Sequence, residues 1–334
     1  MNIHFELEEN YFLKAPVDEL KQRLSLTAMG SRQKPAIEYA LLPVGKLTRP
    51  LLLFAAADAV GGDPMKLVPA AAGVEHCHVA SLVHDDLIDE DDLRRGKPTV
   101  HKVFDKDTAL VVGDALIFES FFWGTELVNN GVFPAVVVRA LDAVSKAGRK
   151  LCSGQLMEAT IVQEEKYVLN YYFEMIHGKT GALIELSCQL GALLSEVDDE
   201  VVRLFSRSSA NFGAAFQMQD DLLPYLGNIG TTGKDPLSDI SNGRPSLPLI
   251  LAVSEGTNQE RNFLLETQQN ILLGKPIDTN SVFEILGSQK NLSRAQSLIE
   301  EKLTVAMELL EPYADTDGGK FLCNLMKSSQ FRTS

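Results

Sequence analysis

Asp85, Asp86 and Asp89 form a DDxxD pattern within Asp85–Asp92, a stretch in which six of eight residues are acidic. On a helix, Asp85 and Asp89 lie one turn apart on the same face, with Asp86 beside them. Three carboxylates converging at the end of an apolar segment repel one another, and burying them without cations is very costly. Oxygen-only ligands suit a hard ion, and Mg2+ typically takes a few carboxylates together with substrate phosphates. Taken alone, the block reads equally as a metal site or as a solvated acidic helix end. A second pair, Asp220 and Asp221 in "FGAAFQMQDDLLPY", ends another apolar run. Two acidic pairs facing each other across a cavity would clamp a substrate phosphate through metals held from both sides.

Basic residues supply the complement. "GKLTRP" places Lys46 and Arg49 three apart, on one helical face. "RRG" gives Arg94 and Arg95, and "GKTG" gives Lys179 and Thr180. Arginine suits bidentate phosphate contact and lysine a point-charge contact. Each motif is weak by itself. "GKTG" lacks the glycine-rich frame of a P-loop, and Lys46, Arg49 or Lys179 taken singly reads as an ordinary surface charge.

The elements that must position these groups are helices. Apolar residues recur at three- and four-residue spacing near 16–29, 47–60, 66–90, 107–130, 133–164, 169–195 and 199–223. Breakers such as "GGDP" (61–64) and "NNG" (129–131) separate them, and no run of strand-like alternation intervenes. With no repeat or composition shift to mark a boundary, the expectation is one all-α domain over residues 1–334, a single large helical bundle around a central cavity. Its motifs fall at about 40–250 and its C-terminal helices at about 258–330. The run Thr108–Gly124 is apolar on most faces and is expected inside a core or along a cavity. Gly227–Pro245, rich in Gly, Ser, Thr and Pro, is expected to be a mobile lid carrying Lys234, Asp239 and Arg244.

Composition narrows the function classes. The 334 residues carry 31 Lys+Arg against 45 Asp+Glu, a net charge of −14, which argues against a nucleic-acid partner. Apolar content of 45% and charged content of 23% are those of a soluble globular protein. The acidic N-terminus lacks the apolar core of a signal peptide, and no apolar run approaches the ~20 residues of a membrane span. Cys77, Cys152, Cys188 and Cys323 are far apart and make no CxxC pair, so they are expected to be reduced and mostly buried in a cytoplasmic protein.

The order of "GKLTRP", "VEHCHVASLVHDDLIDEDDLRRGKPTVH", "VGDAL", "GQLME", "GKTG", "FGAAFQMQDD" and "GRPSLPL" resembles the trans-isoprenyl diphosphate synthases, or polyprenyl synthetases, over about residues 40 to 250. The resemblance implies the isoprenoid synthase type I fold and an Mg2+-dependent prenyltransferase. Isopentenyl diphosphate would condense with an allylic prenyl diphosphate, giving a longer polyprenyl diphosphate and free diphosphate. Asp85, Asp86, Asp89, Asp220 and Asp221 would hold a trinuclear magnesium cluster on the allylic diphosphate. Arg94, Lys179, Thr180, Gln217 and Lys234 would contact that same diphosphate, and Arg244, which keeps the charge of the family's usual lysine, would bind substrate. Lys46, Arg49, His78 and Arg95 would bind the diphosphate of isopentenyl diphosphate. On this reading Arg94 and Arg95 serve two separate diphosphates rather than the acids that precede them. His76 and His84 match no family histidine and read as structural, and Glu90, Asp91 and Asp92 read as a solvated loop. A homodimer is also implied. Charge building on the leaving diphosphate would be stabilised by metal and cationic side chains, isopentenyl diphosphate would attack through its double bond, and a closed lid would exclude water.

The second acidic motif departs from the family pattern, because Pro224 stands where a third aspartate is expected and tends to bend or end a helix. Gln217, one turn earlier, could orient one of the two aspartates. Phe212, Phe216 and Tyr225 read as core. Chain length is expected to follow from the helix before Asp85. Ala80 and Ser81 lie five and four residues earlier, and five residues of rise is roughly 7–8 Å. With small Cys77 one turn deeper, they leave room for growth, and Phe118, Phe121, Phe122 and Trp123 could form a floor. The expected product has twenty carbons or more, in the thirty-to-forty range. Two other readings stand beside this one: a class I terpene cyclase, which would not need Lys46, Arg49, His78 and Arg95, and a non-catalytic subunit of a heteromeric synthase, which Pro224 invites.

Overall fold

The computed structural model describes residues 11–27, 33–226 and 238–330. Among these the chain is helical almost throughout. In order, α1 is Tyr11–Leu26, α2 Lys34–Leu41, α3 Thr48–Ala59, α4 Val68–Ile88, α5 Val100–Val103, α6 Lys106–Glu119, α7 Trp123–Asn129 and α8 Pro134–Gln163. Then come α9 (Leu169–Ile176), a π-turn (His177–Gly181) and α10 (Ala182–Leu194), followed by α11 (Asp199–Leu226), α12 (Ser238–Ser241), α13 (Leu247–Glu255), α14 (Asn258–Leu272), α15 (Thr279–Leu286), α16 (Gln289–Leu310) and α17 (Asp317–Gln330). The all-α expectation is met.

The centre is built from α3 and α10, both apolar on most faces. Leu183, Ile184, Leu186, Leu190, Leu193 and Leu194 are all buried, and each large aliphatic side chain so buried contributes about 1.5–3 kcal/mol over leaving it in water. Gly191 allows the two helices to close, since a Cβ there would lie 2.3 Å from the Leu53 carbonyl oxygen. Against this centre pack α4 and α11, the helices that carry the acidic motifs, and α8, which carries Glu158.

The sequence reading needs four corrections. The expected helix at 169–195 is interrupted by the π-turn, which holds Lys179 and Thr180; such bulges recur at functional sites. The expected helix at 107–130 breaks after Glu119 into α6 and α7. It is not interior on most faces: Phe118 is 77% exposed and Phe122 61%, so neither forms a cavity floor, and Leu110, Val111 and Phe121 share the exposed apolar face. The stretch Lys106–Asn129 is also long and apolar enough to cross a membrane by length and composition alone. Finally, a strand pair does form. β1 (Leu93–Arg94) and β2 (Lys97–Pro98) pair antiparallel with Arg94 opposite Lys97. The turn between them, Arg95–Gly96, has both residues at positive φ, +53° and +74°, the twist that a two-residue hairpin favours.

Pro224 does not end α11, which continues to Leu226. Lys234, with most of the expected lid, lies outside the described residues; Arg244 is within them. Of the cysteines, Cys188 is buried, Cys77 and Cys323 are half-buried, Cys152 is exposed, and none is paired.

Candidate active site

Both acidic motifs stand towards helix C-termini. Asp85 and Asp86 occupy the last turn of α4 and Asp89 is its C-cap; Asp220 and Asp221 lie near the end of α11. The terminal carbonyls of a helix already carry partial negative charge, so added carboxylates require cations there. The backbone thus sharpens the cation demand that the sequence announced.

The two motifs open on one cavity of about 920 Å³, within the range of a small-molecule site. Its wall holds Asp85, Asp89, Asp220 and Asp221 together with Lys46, Arg49, His78, Arg94, Arg95, Lys179, Thr180, Gln217 and Arg244. Nearly every predicted ligand-binding residue among the described ones therefore converges. Asp86 does not reach the wall; it is 3% exposed. Cys77, Ala80, Ser81, Phe118 and Phe122 are also off the wall, where Leu82, Met175, Ile176 and Phe216 supply the apolar surface.

Protein cations neutralise the first motif. Arg94 donates from Nε to Asp86 Oδ1 at 2.5 Å and lies 4.0 Å from Asp85. Contrary to the expectation that it would not pair with the acids before it, Arg94 does so here, because the hairpin folds it back onto α4. Lys179 Nζ is 2.5 Å from Glu158 Oε2 and 3.5 Å from Asp85 Oδ1. Arg244 Nη2 is 2.6 Å from Asp89 Oδ2. Burial pushes the Asp86 carboxyl up to about 6, with Arg94 opposing; burial likewise raises Asp89, against Arg244. For Lys179, burial works against the charge, but Glu158 and then Asp85 outweigh it and hold the ammonium above its ordinary value. These pairs are partly exposed, so each is worth about 1 kcal/mol, small enough for a metal or diphosphate to displace it.

Around the second motif, Thr180 Oγ1 donates to Gln217 Oε1 at 2.6 Å, and Gln217 Nε2 donates to Asp221 Oδ1 at 2.9 Å. Gln217 orients an aspartate, as its spacing suggested. Asp221 Oδ2 accepts from the Tyr172 hydroxyl at 2.7 Å and the Leu247 amide at 2.9 Å. Phe216 is on the cavity wall, while Phe212 is core and Tyr225 stacks on Phe283 at 5.0 Å.

The remaining cluster lies on the same wall. Arg49 Nη1 is 3.1 Å from His78 Nε2. A guanidinium can only donate, so Nε2 accepts and the imidazole is neutral. Burial, then Arg49, Arg95 and Arg94, hold His78 well below its ordinary value, and burial lowers Arg49 to about 10. Gly45 admits Arg95: a Cβ there would fall 2.2 Å from Arg95 Nη1.

Sequence reading passed over Glu75, Asp91 and Tyr172. Glu75 lines the cavity beside Arg49, is 4% exposed, and its Oε2 has no hydrogen-bond partner among the described residues. A glutamate inside an otherwise apolar helix was the available signal. Asp91, read as solvated loop, is on the wall, whereas Glu90 and Asp92 are exposed and pair with Lys106 and Lys102. His76 and His84 are off the wall, bonded to Thr27 Oγ1 at 3.0 Å and near the Leu110 carbonyl at 3.1 Å, in keeping with structural roles.

The donor set fits Mg2+, being all oxygen from carboxylates that face a polar cavity. Among the described residues no three His, Cys, Asp or Glu side chains already converge on one point. The coordination would therefore have to be completed by ligand oxygens.

Residues 32–276 match the polyprenyl synthetase family. The chain is 36% identical over 253 residues to a farnesyl diphosphate synthase of Geobacillus stearothermophilus, covering 74% of this chain and 84% of that one. It is 32% identical over 272 residues to a geranylgeranyl diphosphate synthase of Saccharolobus solfataricus, covering 81% and 77%. A solved geranylgeranyl pyrophosphate synthetase of Pyrococcus horikoshii superposes with a TM-score of 0.85 at 28% identity, covering 97% of this chain and 99% of that one.

Proposed function

The chain belongs to the polyprenyl synthetase family, a family of prenyltransferases, and from that premise we propose that it condenses isopentenyl diphosphate with an allylic prenyl diphosphate. The observation that carries the reading is one cavity with two cationic clusters, Arg94, Lys179 and Arg244 against the acidic motifs and Lys46, Arg49 and Arg95 beside His78. Two diphosphates need two such clusters. A terpene cyclase, with a single diphosphate, has no use for the second, and a non-catalytic subunit would have no need of either.

Asp85, Asp89, Asp220 and Asp221 would hold Mg2+, which when bound supplies positive charge to the departing diphosphate, while Asp86, off the wall, would hold Arg94 in place. Lys179, Arg94 and Thr180, with Lys234 from outside the described residues, bind and orient the allylic diphosphate. Their charges stabilise the negative charge that grows on it as the carbon–oxygen bond breaks. Lys46, Arg49, Arg95 and His78 hold isopentenyl diphosphate so that its double bond faces the allylic carbon, turning a bimolecular encounter into an oriented one. Leu82, Met175, Ile176 and Phe216 exclude water from the apolar part of the cavity.

The curated relatives described above are named farnesyl and geranylgeranyl diphosphate synthases, which favours a shorter product than the expected thirty to forty carbons, although a solved heptaprenyl diphosphate synthase of Staphylococcus aureus also superposes, with a TM-score of 0.81 at 25% identity. The proposed product is the twenty-carbon one. Ala80 and Ser81 put no aromatic ring before Asp85 to stop growth at fifteen carbons. The exposed apolar face of α6 with Phe122, together with Leu156 of α8 at 73% exposure, supports a homodimer. We place the enzyme in the cytoplasm, a compartment in which its unpaired cysteines would stay reduced.

Farnesyl diphosphate supplied with isopentenyl diphosphate and Mg2+ should give geranylgeranyl diphosphate. Hydrocarbon formed from farnesyl or geranylgeranyl diphosphate alone would favour a cyclase, and activity only on adding a partner from the same cell would favour the subunit reading.

A further inference from the structure

Three of the helical segments that supply the site meet again away from its wall, at Glu185 of α10. Ser206 Oγ of α11 donates to Glu185 Oε1 at 2.7 Å. Lys150 Nζ of α8 donates to Oε2 at 3.1 Å, and His177 Nε2 lies 3.3 Å from the same oxygen and 3.3 Å from Lys150 Nζ. Burial opposes the carboxylate charge, but hydrogen bonds from His177, Ser206 and Lys150 outweigh it and hold the carboxyl down to about 2.

His177 opens the π-turn that aims Lys179 at Glu158 and Asp85 and Thr180 at Gln217. A π-turn forgoes the α-helical hydrogen-bond ladder and needs outside support. Two of its five residues are glycines, Gly178 and Gly181. One of them packs backbone to backbone on α8, where a Cβ on Gly154 would fall 2.3 Å from Lys179 N. The turn is thus held by its backbone approach to α8 and by the polar contacts of His177, Lys179 and Thr180. The clasp at His177 ties its first residue to α8, α10 and α11 together.

We infer that Glu185 is a positioning residue that holds the π-turn so that Lys179 and Thr180 point into the cavity. It acts through them and touches no reactant. The kinetic part of this inference rests on the prenyltransferase reading; the mechanical part does not.

The test uses the full chain. In Glu185→Gln, amide exchange in a peptide spanning the π-turn should quicken about tenfold or more, with α3 unchanged. Ser206→Ala, which removes one donor, should move the same peptide less. Unchanged protection of the turn in both variants would overturn the inference, as would equal loosening of α3, which marks general destabilisation. In kinetics, Glu185→Gln should lower kcat/KM for the allylic diphosphate about ten- to a hundredfold, with KM for isopentenyl diphosphate within about twofold. In a Lys179→Ala background the same change should cost less than about twofold, because coupled residues are not additive. Equal losses in both backgrounds would also overturn it. A wild-type chain that transfers no prenyl group would refute the proposed activity, while the exchange result would still decide whether Glu185 holds the turn.

Discussion

Arg244 and Asp89 lie 155 residues apart in the chain, yet Arg244 Nη2 is 2.6 Å from Asp89 Oδ2. The contact joins the segment before α13 to the C-cap of α4, and so joins the far end of the expected lid to the first acidic motif. A carboxylate proposed to hold metal is thereby matched by a protein cation that must be displaced when the metal and diphosphate arrive.

Arg244→Gln should therefore raise the affinity for a divalent ion presented alone and lower it when a diphosphate is present. Removing the competing charge is worth about 1 kcal/mol, or roughly five- to tenfold. Titration of Mn2+ by electron paramagnetic resonance, with and without inorganic diphosphate, measures both arms. A fall in affinity in both would mean that Arg244 supports the site rather than competing for it.

Gly154→Ala should impair the protein at a distance from any ligand. The added methyl would meet Lys179 N at 2.3 Å and the carbonyl carbon of Gly178 at 2.7 Å, which is backbone and cannot step aside. A stability loss of about 1–3 kcal/mol is expected, with a fall in turnover as Lys179 moves. Gly148→Ala is the control. It lies in the same helix with nothing within 4 Å of its Cβ, and should be neutral or stabilising by up to ~1 kcal/mol. Thermal unfolding and turnover of the two variants are the measurements.

Glu185 gives a pH signature. Its folded pKa is held down to about 2 from 4.5, so its stabilisation is present above the unfolded value and is lost as pH falls through the folded one. At neutral pH this amounts to about 3 kcal/mol. Chemical denaturation should find Glu185→Gln less stable than wild type by up to that amount at pH 7. The gap should narrow from pH 4.5 towards 2, and a gap independent of pH would contradict an ionised clasp.

Phe118→Glu should yield a monomer. The side chain is 77% exposed on an apolar face shared with Val111 and Phe122, and a charge there would be buried unpaired on association. Light scattering after gel filtration should give twice the chain mass for wild type and the single-chain mass for the variant.

The parts of the site legible in the sequence are those fixed by helical spacing. Asp85 with Asp89, and Gln217 with Asp221, are one turn apart and so share a face wherever the helix goes. The pairing of Arg94 with Asp86 was not legible because it depends on the turn at Arg95–Gly96, whose positive φ values no periodicity announces. The π-turn was hidden by an apolar pattern that runs on from Leu169 to Leu194. Tyr172 meets Asp221 across 49 residues, a pairing that only packing creates. Phe118 shows the limit of composition: an apolar helix against a core and one with an apolar face in solvent read alike.

The central claim is that Asp85 and its neighbours serve transfer of a prenyl group onto isopentenyl diphosphate. The most direct measurement is incorporation of labelled isopentenyl diphosphate into solvent-extractable product with farnesyl diphosphate and Mg2+, in wild type and Asp85→Ala. The account predicts labelled product from wild type and a loss of about a hundredfold or more in the variant, the scale seen when a stabiliser of transition-state charge is removed. No labelled product from wild type with any allylic starter, or equal product from both proteins, would contradict it.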